Sequence, residues 1–509
     1  MSEKDMLLPR PRDSHDERLI RNVRPSGWVN PPPQDSYNLI VIGAGTAGLV
    51  SALGAAGLGA TVAVLEERLI GGDCLNFGCV PSKALLSSAR AVSVVRNASD
   101  FGAQLPPGDI SVDFPAVMER MRRLRAEISN RDSVTRLSEA GIDVFLGSGE
   151  FTGPNRIRVG DEELRFKRAV IAVGATSNPV LIPQLQGCDC LTNETLFSLT
   201  DLPPRLGIIG AGRMGCEMAQ AFRRFGSKVY LFESSPRILG EEDIDAAQTV
   251  QDRLVEEGVV LFLDTRVERV SSKRSEKIVE VGKGDAQQEV IVDEVLVAVG
   301  RVPLVDGLGL ERAGVAYSKI SGVEVNEYLQ TSNSRIYAAG DVCSNYKFTH
   351  MADAAARIVL RNALFKGSKK ASTLTVPWCV YTDPEIAQVG LTESEARNRG
   401  IEFETFLSKL SEVDRAVLDD TVDGFVKIHV KKGSDRILGA TIVAKNAGNM
   451  ISEITLAIVE GIGLRKLADV IRPYPTESEA IRRAGDLCNK KRLTPLIRGL
   501  LSRWLNWAG

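Results

Sequence analysis

Two cysteines in C-x4-C spacing carry the most chemistry in this sequence. They lie in Gly71-Gly72-Asp73-Cys74-Leu75-Asn76-Phe77-Gly78-Cys79-Val80-Pro81-Ser82-Lys83, and a helical run, Ala84 to Arg90, follows at once. A thiol at a helix N-terminus sits among unpaired backbone N–H groups and the positive end of the helix dipole. Both favour thiolate over thiol, so Cys79 reads as an acidified, reactive cysteine. Pro81 fits there because its missing N–H has no partner in a first turn. Cys74, five positions upstream, is close enough to close a small disulfide with Cys79. The competing reading is two unrelated buried thiols, since free cysteine often serves as a small hydrophobe.

The elements around this stretch tip the balance. Tyr37 to Ile42 reads as an apolar strand that runs into Gly43-Ala44-Gly45-Thr46-Ala47-Gly48 and an Ala/Leu-rich helix. Strand, G-x-G-x-x-G and helix together form the context of a dinucleotide-binding turn, in which glycines let the backbone approach a pyrophosphate on the helix N-terminus. A second strand, Thr61 to Leu65, ends at Glu66, where an acid bonds a ribose hydroxyl. The pattern then recurs. Leu206 to Ile209 leads into Gly210-Ala211-Gly212-Arg213-Met214-Gly215, a helix from Cys216 to Phe225, and Val229 to Phe232 ending at Glu233. Gly43 to Glu66 and Gly210 to Glu233 both span 23 residues (66 − 43 and 233 − 210). Two gapless matches mean two nucleotide-binding domains.

Two further strands end alike, Val170 to Ala175 and Val295 to Arg301, each read as closing one nucleotide domain. Arg335 to Asp341 is a strand into a tight turn carrying an acid, followed by a helix from about Thr349. From Thr375 the composition changes. Phe425 to Val430 alternates like a half-buried strand, Leu438 to Val443 answers it, and Ile451 to Ile462 reads as an amphipathic helix. This is an α+β module of the kind that builds dimer interfaces.

Composition limits the alternatives. Of 509 residues, 44% are hydrophobic and 25% charged, an ordinary globular balance. The net charge of −2 gives no broad attraction to nucleic acid. Eight cysteines are too few for a disulfide-stapled secreted scaffold. No apolar run approaches a membrane span. The first 36 residues are polar and Pro-rich, without the apolar core of a signal peptide, and read as an arm loosely structured or draped over the body. A cytoplasmic location follows by default.

With these motifs in place, residues 37 to about 485 resemble the class I flavin-dependent pyridine nucleotide–disulfide oxidoreductases, among them dihydrolipoamide dehydrogenase, glutathione reductase and mercuric reductase. The resemblance implies an α/β fold with two Rossmann-like domains and a C-terminal α+β dimerisation domain. The expected division is an arm at 1–36, an FAD-binding domain at 37–187 and 305–370, an NAD(P)-binding domain at 188–304, an interface domain at 371–485 and a basic tail at 486–509. It implies that Gly43, Gly45, Thr46, Ala47, Gly48, Glu66, Gly72, Lys83 and Gly149 hold FAD, with Asp341 on the ribityl chain and Phe348, Thr349 and His350 at the helix start beneath the flavin. Gly210, Gly212, Arg213, Met214, Gly215, Glu233, Val267 and Gly300 would hold the nicotinamide coenzyme. Lys83 and Glu217 resemble the ion pair beside the flavin. Cys79 resembles the charge-transfer thiolate and Cys74 the thiol that meets substrate, the two forming a redox disulfide. Electrons would pass from NAD(P)H through flavin to this pair and on to an acceptor at the interface of a homodimer.

The sequence departs from the disulfide-reducing members at one informative place. Their interface motif is H-P-T-x-x-E; here it is Tyr474-Pro475-Thr476-Glu477-Ser478-Glu479. Tyr474 and Glu479 are the expected catalytic residues there. A phenol with an ordinary pKa of about 10 is a poor proton shuttle beside an imidazole at about 6.5. Mercuric reductase carries tyrosine at that place, so the resemblance implies a soft-metal acceptor, although the last residues lack the paired cysteines that hand such a metal over; dihydrolipoamide dehydrogenase-like or quinone reductase activity is the alternative. A non-enzymatic flavin redox sensor is the reading from another class, and NADH oxidation with any added acceptor discriminates it. Glu233 favours NADH by repelling a 2′-phosphate; Arg237 nearby leaves NADPH open. No resident metal is expected.

Some residues carry weaker signals. Cys188 and Cys190 read as incidental loop thiols rather than a metal or auxiliary redox pair; Cys216, Cys343 and Cys379 read as packing residues. Arg213 is read either as the counterpart of a gating aromatic or as a phosphate contact. The tail from Lys490 to Trp507 is basic and amphipathic. A terminal helix packed on its own dimer is the favoured reading; peripheral contact with a membrane surface is the other.

Overall fold

The computed structural model describes residues 8–104, 110–177, 189–274, 276–283 and 286–508. The chain forms two compact units. The first comprises Met1–Ala211, Ala221–Ser234 and Thr265–Leu374, the second Gly212–Gln220, Ser235–Asp264 and Thr375–Gly509.

The first unit is built on a parallel sheet. Strands Ile142–Leu146, Val62–Glu66, Tyr37–Ile42 and Glu162–Ile171 lie side by side, and Ile336–Ala338 adds in parallel to the last. Every residue of Tyr37–Ile42 except Asn38 is buried, as a strand covered on both faces requires. The helix Thr46–Gly57 provides the crossover to Val62–Glu66. The far end of Glu162–Ile171 continues as an antiparallel ribbon with Arg156–Val159 and Gly149–Gly153. A second parallel set, Lys228–Phe232, Arg205–Ile209 and Glu294–Val297, repeats the arrangement beside an antiparallel meander of Arg266–Lys273, Glu276–Lys283 and Ala286–Val292.

Both expected closing strands are shorter than their apolar runs. Glu162–Ile171 stops before Gly174 (φ +77°) and Glu294–Val297 before Gly300 (φ +104°). After each glycine the chain forms a new short strand, and these two, Ala175–Ser177 and Arg301–Pro303, pair antiparallel with each other. An apolar run does not reveal where a glycine reverses it.

The N-terminal arm is more ordered than a loose segment. Ser14–Val23 is a helix capped by Asp13, whose side chain accepts the N–H groups of His15 and Asp16. Leu19 and Val23 are fully buried. Asp16 is buried too, and pairs with Arg125 of the helix Phe114–Ile128 (Nη2 to Oδ1, 2.8 Å). An unpaired charge there would be costly, so this pair fixes the arm's position on the body.

In the second unit, five antiparallel strands follow the order Pro377–Val380, Glu385–Gly390, Ile437–Ala444, Phe425–Lys431, Phe403–Lys409. The helices Ala447–Val459 and Glu479–Lys491 pack on this sheet through Ile451, Ile454, Ile481 and Ala484. No helix among the described residues is long and apolar enough to cross a membrane.

Candidate active site

The cysteine stretch begins where Val62–Glu66 ends. Gly71 (φ +90°) and Gly72 (φ +59°) turn the chain into a short helix, Gly72–Asn76, that carries Cys74 half-buried. A side chain at Gly72 would place its Cβ 2.6 Å from Gly45 Cα, so only glycine lets the two loops approach. The next helix, Cys79–Arg96, starts at Cys79 itself, and its cap residue Gly78 provides no side-chain bond. Its first N–H groups are therefore free to face an anion. Both cysteines are free thiols, and Cys79 is exposed. The hydrogen bond from the Cys74 thiol is the main influence holding Cys79 down to about 6, helped by the Thr349 hydroxyl, 3.3 Å from its Sγ, and by the Lys83 charge. The same bond, together with burial, pushes Cys74 up. The pair thus divides one proton: Cys79 is the thiolate and Cys74 the thiol.

A charged network holds this segment, and the motif reading assigned it no role. Asp73 accepts hydrogen bonds from Arg301 Nη1 (2.7 Å) and Asn193 Nδ2 (2.8 Å). Arg301 also donates to Ala175 O (2.6 Å), its own carbonyl accepts from Lys347 (2.8 Å), and its guanidinium stands 3.9 Å from Asp341. Arg301 belongs to the ribbon that follows Gly300, so the crossover positions the redox loop. The one available signal was an acid directly before Cys74 and a basic residue directly after a turn glycine. Arg301→Met removes the cation paired with Asp73, so that carboxylate acts on Cys79 without its counter-charge. The pH at which the Cys79 thiolate protonates should rise by about one unit, and Arg301→Lys should restore part of the loss. The checking measurement is the pH dependence of the long-wavelength thiolate absorption of the reduced protein.

The glycine loops fit a flavin dinucleotide. At Gly43 (φ +95°) a Cβ would lie 2.5 Å from Ala172 O, and at Gly48 only 1.9 Å from Gly43 O. The backbone is therefore packed on itself, and Thr46 and Ala47 open a helix whose cap, Gly45, makes no side-chain bond. Glu66 Oε2 accepts the Ala44 N–H (2.7 Å) and Oε1 the Arg68 N–H (2.7 Å). Burial pushes the Glu66 carboxyl up, and these bonds oppose it. Asp341 follows Gly340 (φ +84°); its carboxylate is mostly buried, and Arg301 lies beyond bonding distance, which leaves its oxygens able to accept ligand hydroxyls. Phe348 caps the helix Thr349–Phe365 without a side-chain bond and stacks on His350 (5.3 Å, 9°). Gly149 has a packing reason as well, since a Cβ there would lie 2.7 Å from Leu65 Cδ2.

The second fingerprint repeats the first. Gly210 has φ +99°, and a Cβ would lie 2.7 Å from Ala298 O. Ala211 N–H donates to Glu233 Oε2 (2.9 Å), the equivalent of Ala44 to Glu66. The helix Arg213–Phe225 begins three residues before the expected start, so Arg213, Met214 and Gly215 form its first turn after Gly212. Arg213 bonds Glu242 (2.8 Å) and Glu241 (3.2 Å) and lies over Trp378. Arg237 spends both Nη groups on the carbonyls of Leu239 (3.0 Å) and Gly240 (2.6 Å). Glu217 is buried and accepts the Tyr381 N–H (2.9 Å). Val267 is buried in the meander, and Gly300 marks the turn into the ribbon.

Tyr474 is 72% exposed, and its hydroxyl donates to Asp414 Oδ2 (2.6 Å). That bond pushes the phenol further up, away from neutrality. Glu479 opens the helix Glu479–Lys491 and pairs with Arg482 (3.1 Å) and Arg483 (3.2 Å). Cys188 lies outside the described residues. Cys190 is disulfide-bonded, which corrects its reading as an incidental thiol: in a loop outside the packed core it can meet a second sulfur. Cys216 is fully buried as expected, whereas Cys343 and Cys379 are only half-buried.

Residues 37–356 match the model of the pyridine nucleotide-disulphide oxidoreductase family, and 376–485 match that family's dimerisation domain. Mercuric reductase from Lysinibacillus sphaericus is 34% identical over 89% of this chain and 82% of its own length. Dihydrolipoyl dehydrogenase from Thermus scotoductus is 33% identical over 91% of this chain and 100% of its own. Among solved structures, the Cu(II) complex of the HOCl-induced flavoprotein disulfide reductase RclA from Escherichia coli superposes with a TM-score of 0.79. It is 29% identical and covers 89% of this chain and 100% of that one.

Proposed function

The chain belongs to the pyridine nucleotide-disulphide oxidoreductase family, and we propose that it uses NADH to reduce a soft, thiolate-binding metal ion at the Cys74–Cys79 pair, with Hg(II) as the model of that class. Members use FAD and NAD(P)H; when bound, the reduced nicotinamide would supply the two electrons that return such an ion to the neutral metal, and the flavin would carry them. The dimerisation domain supports a homodimer.

The chain's own residues have distinct tasks. The first glycine loop, Gly43 to Gly48, and Glu66 hold the pyrophosphate and ribose of FAD, Asp341 its ribityl hydroxyls, and the second loop, Gly210 to Gly215, holds the nicotinamide coenzyme. The Cys74 thiol first, then Thr349, Lys83 and the start of the helix Cys79–Arg96, keep Cys79 ionised. Cys74 is the thiol that meets the acceptor; it loses its proton as the metal binds, because only the thiolate is a good ligand.

One observation carries the choice of acceptor. Tyr474 stands where an imidazole would pass protons to a dithiol or disulfide substrate, and its hydroxyl is bonded to Asp414. A metal ion held by two thiolates requires no such shuttle. The mercuric reductase relative and the Cu(II) complex of the E. coli flavoprotein are consistent with thiophilic metals as a class. Purified protein should oxidise NADH rapidly with Hg(II) and slowly with lipoamide; fast lipoamide turnover overturns the reading.

Glu233 and the inward-turned Arg237 support NADH over NADPH. Repulsion between a carboxylate and a 2′-phosphate amounts to about 1–3 kcal/mol at partly exposed sites, so kcat/KM should favour NADH by roughly ten-fold or more. Parity between the coenzymes removes this part of the proposal.

A further inference from the structure

The chain continues past the dimerisation-domain match, which ends at residue 485, into a second helix that nothing in the redox reading uses. Pro495–Ala508 is a 14-residue helix. Thr494 caps it, its hydroxyl accepting the Ile497 N–H (3.3 Å), and Pro495 suits the first turn. No residue of this helix is buried. At 100° per residue its side chains separate cleanly. Leu496, Ile497, Leu500, Leu501, Trp504, Leu505 and Trp507 occupy one half of the circumference. Ser502 and Asn506 lie opposite. Arg498 and Arg503 stand at the two edges where the halves meet. The large apolar side chains are well exposed, Leu496 at 80% and Trp507 at 84%.

We propose that this helix lies in the interfacial layer of an anionic lipid bilayer and holds the protein at a membrane surface. Charge selects this occupant. From Lys490 to the last residue there are five cations, Lys490, Lys491, Arg492, Arg498 and Arg503, and no acidic side chain, in a chain whose net charge is −2; of these Lys491 pairs with Glu404 (2.9 Å). A run of cations beside a broad exposed apolar half, with two tryptophans, matches the phosphate headgroups and apolar layer of an anionic bilayer together. The edge arginines lie where their long stems follow the apolar half while the guanidinium groups reach the headgroups. Tryptophan prefers the same layer, with its ring in apolar surroundings and its N–H hydrated. A 14-residue helix is about 21 Å long, too short to span a bilayer and long enough to lie in its plane. The inference is independent of which acceptor the redox pair serves.

The test uses full-length FAD-loaded protein and vesicles of phosphatidylcholine alone or mixed with phosphatidylglycerol. Co-sedimentation should be strong on the mixed vesicles, weak on the neutral ones, and should fall as salt is raised. Tryptophan emission should shift to the blue on binding. Trp504→Ser with Trp507→Ser should abolish sedimentation while NADH oxidation and oligomeric state stay unchanged. Arg498→Gln with Arg503→Gln, which keeps the apolar half, should weaken binding roughly 30-fold, about 1 kcal/mol per cation. Equal binding to both vesicle types, no binding, or sedimentation that survives deletion of 494–509 each overturns the proposal. If the tryptophan variant instead dissociates the dimer and wild type ignores vesicles, the helix belongs to the contact between copies.

Discussion

Replacing Cys79 by serine is expected to lower turnover with any acceptor by on the order of 10³-fold and to erase the long-wavelength absorption of the reduced protein at every pH. The size of the effect follows from what Cys79 supplies. It is the only sulfur at the start of the helix Cys79–Arg96, and the Cys74 thiol, the Thr349 hydroxyl and the Lys83 charge all favour its ionised form. A serine hydroxyl keeps the shape but does not ionise near neutrality or form a disulfide. On the proposed roles, the absorption of the wild type belongs to the thiolate. It should be present above about pH 6 and fade below it, because protonation removes the charge. Cys74→Ser should lose turnover to a similar degree yet retain the band, since its hydroxyl still donates to Cys79. A wild type without this band, or a Cys79→Ser protein that keeps it, would refute the assignment of roles.

Gly48→Ala is the second change with a large expected effect, and it acts through the backbone. The added Cβ would meet Gly43 O at 1.9 Å. Neither partner is a side chain that can swing away. The helix Thr46–Gly57 must separate from the loop that precedes it, and the pyrophosphate site opens with it. A loss of about 3 kcal/mol in stability is expected, in the range of severe overpacking, and the protein should purify nearly colourless. Thermal unfolding and the flavin absorbance per chain measure both. Gly59→Ala provides the control. It also has a positive φ, +84°, but no neighbour lies within 4 Å, so only the smaller strain cost should appear and flavin should be retained.

The sequence exposed the parts of the molecule whose chemistry depends on residue type and spacing. Paired glycine loops at equal distance from an acid have few structural alternatives, and the structure places Ala44 against Glu66 and Ala211 against Glu233 in the same way. The cysteine spacing likewise survives, because a helix start is visible in a Pro followed by apolar periodicity. Contacts that depend on distant pairing were not legible. Asp73 lies 228 positions from Arg301 and 120 from Asn193 (301 − 73 and 193 − 73), and no local pattern joins them. Of the two readings of the arm, the packed one holds and the loose one does not, for a related reason. Its polar composition concealed Leu19 and Val23, whose burial depends on Arg125 arriving from another helix to neutralise Asp16. Strand ends also eluded the reading at Gly174 and Gly300, because apolar character continues past the reversal.

The bond between Ala211 N–H and the Glu233 carboxylate links two properties that a protein engineer would prefer to adjust separately. On the proposed preference for NADH, an attempt to admit NADPH by truncating Glu233 to alanine would remove the acceptor that anchors the Ala211 N–H. The relaxed variant is expected to bind both coenzymes through a slacker clasp, losing affinity along with discrimination. Glutamine at 233 keeps an acceptor for the Ala211 N–H while discarding the charge, which makes it the substitution from which retuning should begin.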